Sequence, residues 1–273
     1  MSPRKHAIVT GAASGLGRAI AVELARHGWH IAICDLNDAG SQETLQLLRT
    51  AGGDGQVEHL DVTSPDEWSE LRDRLMTQWP ALDLLVNNAG VGLGGDVGQV
   101  SLSDWHWIIN INLYGAIYGC HTLVDWLKQN PAGGHIVNIA SMAAIVSAPG
   151  MAAYNITKAG MLSFSETLYG ELKPFNIGAT CVCPAFVPTN ILNNGRFCTP
   201  EQRKAADRLM SQSRATADDV ARRVMRAITR RQLYVFVPAV AGVFWRLKRL
   251  MPRTVLNLIA SRQKREKVLA AKP

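Results

Sequence analysis

A chain of 273 residues with 47% apolar and 19% charged side chains is long enough to bury one large core, and this balance excludes a disordered chain. Its formal charge of +7 is segregated: from Arg222 onward 14 Lys and Arg stand against the single acid Glu266, while the preceding 221 residues hold 15 against 21 Asp and Glu. An acidic body with no recognised binding motif argues against a nucleic-acid partner, so none is expected and the basic end is read separately.

The first strand, HAIVT at 6–10, begins within a few residues of the start, and no signal-peptide core precedes it. Apolar, β-branched runs then recur: HIAICD (30–35), QVEHLDV (56–62), LDLLVNNAG (82–90), GGHIVNIAS (133–141), GATCVCPA (178–185) and LYVFVP (233–238). Helical patterns such as GLGRAIAVELARHG and DEWSELRDRLMTQW alternate with them, the second entered through Ser64 as N-cap and Pro65 at its first position. That alternation predicts an α/β fold: one doubly wound domain over 1–238, a seven-stranded, mainly parallel sheet with helices on both faces, and a basic extension over 239–273. No apolar run reaches transmembrane length, and the chain is read as a reduced, cytoplasmic protein. Cys181 and Cys183 share one strand face and read as buried thiols. With no CxxC, HExxH or GxSxG in the chain, neither a metal site nor a serine hydrolase is expected.

Between the first strand and first helix lies T10-G-A-A-S-G-L-G17. Gly11 permits a tight turn, Gly15 lets backbone approach a pyrophosphate, and Gly17 allows close helix–strand packing; the helix N-terminus then offers N–H groups to phosphates. Asp35 ends the second strand, where a carboxylate accepts hydrogen bonds from both ribose hydroxyls and repels a 2′-phosphate. Ser14 is uncharged, and Leu36 stands where a phosphate-binding Arg could have followed, so NAD is expected over NADP. The alternative is that Asp35 only caps a strand-to-loop turn.

In SMAAIVSAPGMAAYNITKAG (141–160), Tyr154 and Lys158 are four apart and share a helix face. A phenol titrates near pH 10 on its own, and a neighbouring ammonium stabilises its anion. Ser141 ends the strand GGHIVNIAS, at the sheet edge where open α/β folds bind ligands. Alone, such letters also describe an ordinary polar helix edge. Together with the glycine loop, Asp35, D61-V62, N87-N-A-G90, Asn112 and P184-A-F-V-P-T189, the sequence resembles the short-chain dehydrogenase/reductase family.

The resemblance covers about residues 6–190 and implies a Rossmann-like fold and NAD-dependent alcohol–carbonyl interconversion. It implies a catalytic tetrad of Asn112, Ser141, Tyr154 and Lys158, in which Tyr154 is the acid/base, Lys158 its tuner and a ribose ligand, and Ser141 the donor to the substrate oxygen. Asn112 would hold a water linking Lys158 to solvent. The resemblance further implies cofactor contacts from Gly11, Ser14, Gly15, Leu16 and Gly17, from Asp35 and Leu36, from Asp61 and Val62 at the adenine, and from Asn88 and Gly90. Tyr154, Lys158, Val187 and Thr189 complete the set. Members are commonly homodimers or homotetramers. Ala185 departs from the family's Pro-Gly, which leaves the turn beside the nicotinamide open to change. The second functional reading is a cofactor-binding regulatory protein of the same fold, although no tetrad residue is lost.

Residues 190–212 are expected to form a lid whose Ile191, Leu192, Phe197, Leu209 and Met210 supply an apolar inner face, with Met142, Ala143, Ile145 and Met151 near the hydroxyls. A hydrophobic alcohol or ketone is therefore the expected substrate. In the extension, Val240, Val243, Phe244, Leu247, Leu250 and Met251 recur at helical spacing among Arg246, Lys248 and Arg249, with Trp245 as an interfacial aromatic. Pro252 breaks the helix, and Val255, Leu256 and Ile259 resume the stripe. Two uses stand side by side: peripheral contact with the inner face of an anionic membrane, or cover for the core or a subunit contact.

Overall fold

The computed structural model describes residues 4–213 and 215–270, with side chains described outside 262–270. Residues 271–273 of the basic extension lie outside the described residues. The first half runs β1 (His6–Thr10), α1 (Gly15–Arg26), β2 (His30–Asp35), α2 (Asp38–Thr50), β3 (Asp54–His59), α3 (Pro65–Met76), β4 (Leu84–Asn87), β5 (Leu93–Gly94), α4 (Leu102–Ile109) and α5 (Gly115–Gln129). A π-helical segment, Asn110–Tyr114, joins α4 to α5. The second half runs β6 (Gly134–Ile139), α6 (Ala143–Val146), α7 (Ala152–Leu172), β7 (Ile177–Pro184), β8 (Arg196–Phe197), α8 (Pro200–Ser211), α9 (Ala217–Arg230), β9 (Tyr234–Val237), α10 (Ala241–Leu250) and α11 (Pro252–Ala270).

Seven strands form one sheet in the order β3-β2-β1-β4-β6-β7-β9, and every described pairing in it is parallel. Parallel strands need both faces covered, which is why they read as continuous apolar runs. Alternate residues serve opposite layers. Ala7, Val9, Ile31 and Ile33 pack under Ile20 and Leu24 of α1, Leu48 of α2 and Val220 and Val224 of α9. Ile8, Ala32, Leu85 and Ile136 pack under Trp68 and Leu71 of α3, Leu123 of α5 and Leu168 of α7.

The capping chemistry behaves as the sequence indicates. Ser64 accepts the Glu67 N–H at 3.3 Å with Pro65 opening α3, and Thr199 with Gln202 closes a capping box on α8. The third strand is shifted from expectation: it starts at Asp54 and ends at His59, leaving Asp61 and Val62 in the following turn. The cause is local, since Asp61 Oδ1 accepts both the Thr63 N–H and the Thr63 hydroxyl at 2.8 Å and curls the chain out of the ladder. Pro252 does separate α10 from α11.

Trp68 is the largest fully buried side chain, and its indole N–H donates to the Val62 carbonyl at 3.0 Å. It thus ties α3 to the turn after β3. Trp68→Ala is expected to lower stability by about 3–5 kcal/mol in equilibrium urea unfolding; a loss below about 1 kcal/mol would show that this layer closes over the gap.

Candidate active site

The chain leaves β1 for β2 and β3, then returns to β4 on the other side of β1. This reversal opens a crevice at the strands' C-terminal ends, and the glycine loop lies there. Gly11 and Gly15 hold φ of +63° and +55°, which a side chain resists. A Cβ on Gly17 would stand 2.2 Å from the Gly11 carbonyl oxygen. Asn88 braces the loop from beyond β4: its Nδ2 donates to the Thr10 and Gly11 carbonyls at 2.9 and 3.1 Å. Ser14, the N-cap of α1, makes no side-chain cap, and the first turn carries no acid. Leu16 packs against the adjoining core. A tight backbone cradle at a helix N-terminus suits a pyrophosphate, so the residues present fit a dinucleotide.

At the end of β2, Asp35 accepts the Ala13 N–H through Oδ2 and the Asn37 N–H through Oδ1, both at 3.0 Å. It therefore does organise the turn, yet each carboxylate oxygen retains a further acceptor site. Leu36 beside it is exposed. Arg18 escaped the sequence reading. Its guanidinium donates to the carbonyls of Ala13 and Gly40, to Thr44 at 3.0 Å and to Glu43 at 2.8 Å, fastening the loop to α2. An arginine in the first turn opposes the helix dipole, and that local mismatch was the available signal.

Asn112 lies in the π segment. Its Oδ1 accepts the Val91 N–H at 2.8 Å, while its Nδ2 donates to the Val91 carbonyl at 2.9 Å and to Thr157 at 3.3 Å. A Cβ on Gly90 would meet Asn112 Oδ1 at 3.1 Å and Lys158 Nζ at 3.5 Å, so glycine leaves room for both groups. Lys158 Nζ donates to the Ile139 carbonyl at 3.0 Å and stands 5.7 Å from the centre of the Tyr154 ring. Ser141 Oγ accepts the Ala143 N–H at 3.1 Å, which keeps its own proton available. Burial pushes the Tyr154 phenol above its usual range, opposed by a hydrogen bond with Ser141. Burial likewise lowers the Lys158 amine to about 8, against which the neighbouring Cys181 and Cys183 act weakly. In the protein alone, burial therefore raises the phenol, and the group that opposes it is Ser141 and not the Lys158 amine that the sequence suggested.

Val187 is buried, and Thr189 Cβ lies 3.2 Å from where a Cβ on Gly15 would be, so the segment after β7 closes over the glycine loop. Ala185 is not among the residues with positive φ, and its N–H donates to the Val237 carbonyl at 2.7 Å, so alanine is accommodated without strain. Asp61 and Val62 sit further out, with Val62 packed on Gly115 at the start of α5.

The residues expected around the substrate divide into two groups. Ala143, Met151 and Ile191 pack with Leu93 and Tyr154 beside the phenol. Met142 packs with Ile145 in another cluster, beneath Phe244 and Trp245. The Phe197 ring covers Gly94, pairing β8 with β5. Arg196 then holds this segment down through Asp104 at 2.6 Å and a stack 3.9 Å above Trp107. Leu192 and Met210 are half-buried, but Leu209 is exposed and α8 buries no residue, so the apolar inner face is smaller than expected. Trp245 also differs: it packs on Tyr234 and Phe236 at 4.9 and 5.6 Å between ring centres instead of facing outward.

A doubly wound parallel sheet, a glycine cradle at its reversal point and a Ser–Tyr–Lys–Asn cluster at the same edge define an α/β oxidoreductase class. A family model described as short chain dehydrogenase matches residues 5–196, and the chain belongs to this family. It is similar to the probable oxidoreductase EphD of Mycobacterium tuberculosis, 29% identical over 255 residues that cover 90% of this chain and 43% of that one. The chain thus spans less than half the length of that relative. It is 31% identical to 3beta-hydroxysteroid dehydrogenase 1 of Eggerthella lenta over 76% of this chain and 79% of the relative. A crystal structure of a short-chain dehydrogenase/reductase from Burkholderia phymatum in complex with NAD superposes with a TM-score of 0.84 at 32% identity, covering 92% of this chain and 95% of that one.

The depressed Lys158 amine has a consequence for folding. A lysine whose folded pKa is about 8, against 10.5 for a free lysine side chain, penalises the folded state below pH 8, and the penalty fades as pH rises from 8 to 10.5. In cofactor-free protein, the stability of wild type relative to Lys158→Met is expected to rise across that window, read as the shift in thermal midpoint. A pH-independent difference would show that the amine is not depressed.

Proposed function

We propose that the protein is an NAD(H)-dependent oxidoreductase that interconverts a hydrophobic secondary or primary alcohol and its carbonyl. The observation that carries this reading is the meeting of Ser141, Tyr154, Lys158 and Asn112 at the edge of the glycine cradle, with Asp35 at the cradle's far side. Ser141 donates to the substrate oxygen and holds it beside the phenol. In the oxidative direction, Tyr154 Oη accepts the hydroxyl proton as the carbinol carbon loses hydride; in reduction Oη returns it. When bound, the oxidised nicotinamide supplies the hydride acceptor and a positive charge near the phenol. That charge and the Lys158 cation offset the burial that otherwise keeps Tyr154 protonated. Asn112, fixed by Val91, holds the neighbourhood of Lys158 open to a water path.

The apolar surroundings of Tyr154, formed by Leu93, Met151 and Ile191, favour an apolar substrate, and the steroid dehydrogenase similarity supports the same class. Asp35 supports NAD, because its anion disfavours a second phosphate at the ribose. A cytoplasmic homodimer or homotetramer is the form proposed.

Tyr154→Phe is expected to lower kcat by about 10²–10⁴-fold while NADH still binds; undiminished turnover would refute the proton role. In fluorescence titrations NADH is expected to bind more tightly than NADPH, and Asp35→Ala to narrow the gap. Equal affinities in the wild type would remove Asp35 as the determinant.

A further inference from the structure

Helix α10 has two faces with different partners. Inward, Phe244 and Trp245 pack with Met142, Ala144, Tyr234 and Phe236. Lys248 Nζ on the same side donates to the Ile145 carbonyl and to Ser147 Oγ, at the end of α6. Outward, Val240, Val243, Leu247 and Leu250 recur at intervals of three, four and three, forming one stripe. They are 68, 54, 42 and 78% exposed, and Met251 continues the apolar surface beyond them. Isolated exposed apolar residues are ordinary, but a stripe along a whole helix marks a contact surface.

Charge identifies the contact. Arg246 and Arg249 are exposed along the stripe's flank, Arg253 is exposed in the first turn of α11, and no Asp or Glu lies between Asp219 and Glu266. A two-fold contact whose axis crosses the stripe would bring these arginines close to their own counterparts. An anionic bilayer offers acyl chains to the stripe and phosphate or carboxylate groups to the guanidinium groups. None of the helices among the described residues is long and apolar enough to cross a membrane, so the helix lies in the plane of the surface.

We propose that α10 is an in-plane anchor for an anionic lipid surface. Its inner face rests on α6, whose N-cap Met142 directly follows Ser141. The anchor therefore holds the catalytic edge about one helix diameter, roughly 10–12 Å, from the lipid. An apolar alcohol dissolved in the bilayer then reaches the site without crossing bulk water. The lipid contact is independent of the redox reading; only this delivery role rests on it.

The test is co-sedimentation of the full chain with vesicles of phosphatidylcholine and phosphatidylserine in equal parts, against pure phosphatidylcholine. Binding is expected to the anionic vesicles, weakened by salt, and to fall about fivefold for each of Arg246→Gln and Arg249→Gln. Val243→Ser combined with Leu247→Ser is expected to abolish it, and turnover of a water-soluble alcohol to stay unchanged. Equal binding to both vesicles, or to neither, overturns the proposal. So does a Val243/Leu247 double variant that loses its oligomeric state in sedimentation velocity yet sediments with vesicles like wild type, because the stripe then covers a second copy. The solution assay on the same samples separates a failed anchor, with turnover intact, from a failed redox reading, with turnover absent in the wild type.

Discussion

Lys158 places an amine where almost no water reaches: it is 4% exposed and bonded to a single carbonyl, that of Ile139. A buried ammonium is tolerated only where fixed dipoles replace solvent, and the surrounding architecture meets that requirement. β6 stops so that its last carbonyl faces the amine, and Gly90 omits a Cβ that would press on Asn112 Oδ1 at 3.1 Å. Cys181 and Cys183, their sulfurs 3.8 Å apart, fill the sheet near it with polarisable thiols instead of hydrocarbon. The tension between desolvation and the proposed role of the amine is therefore concentrated at one nitrogen.

Holding Tyr154 and Lys158 at the right height requires α7 to be registered against the sheet, and a buried polar strap does this. Asn87 on β4 donates to Asn138 on β6 at 2.9 Å, Asn138 donates to Ser165 on α7 at 3.0 Å, and Ser165 donates back to the Met161 carbonyl at 2.7 Å. Apolar packing permits sliding by a fraction of a turn, whereas a chain of directional bonds does not. On the cofactor side Asn88 does the same for the glycine loop. Adjacent asparagines thus position the two halves of the proposed site.

Much of the fold was legible because strands buried on both faces must be continuously apolar, and Ser64 with Pro65 marked the start of α3. The glycine cradle and the 141–158 cluster were legible because their chemistry demands small or ionisable residues at set spacings. What escaped depends on partners distant in the chain. Arg196 gains meaning only from Asp104 and Trp107, and Arg18 only from α2. Trp245 looked interfacial by composition, yet β9 offered it two aromatic rings. Leu209 keeps the helical period, but it stays exposed on α8. The end of β3 was misread because a hydrophobic Val62 continues the run, while the Asp61 turn, a local polar contact, overrides it.

The π segment at Asn110–Tyr114 reaches beyond Asn112. An extra residue per turn shifts the angular phase of everything after it by roughly 100°. Before it, α4 turns Trp105 and Ile108 towards the Leu93–Tyr154 cluster; after it, α5 turns Leu123 and Trp126 into the main core. One continuous rod thereby faces two separate apolar bodies, and the dislocation between them is the point at which Asn112 leaves the helical rows and enters the site. The rod acts as a crankshaft, converting an irregularity of hydrogen bonding into a change of heading.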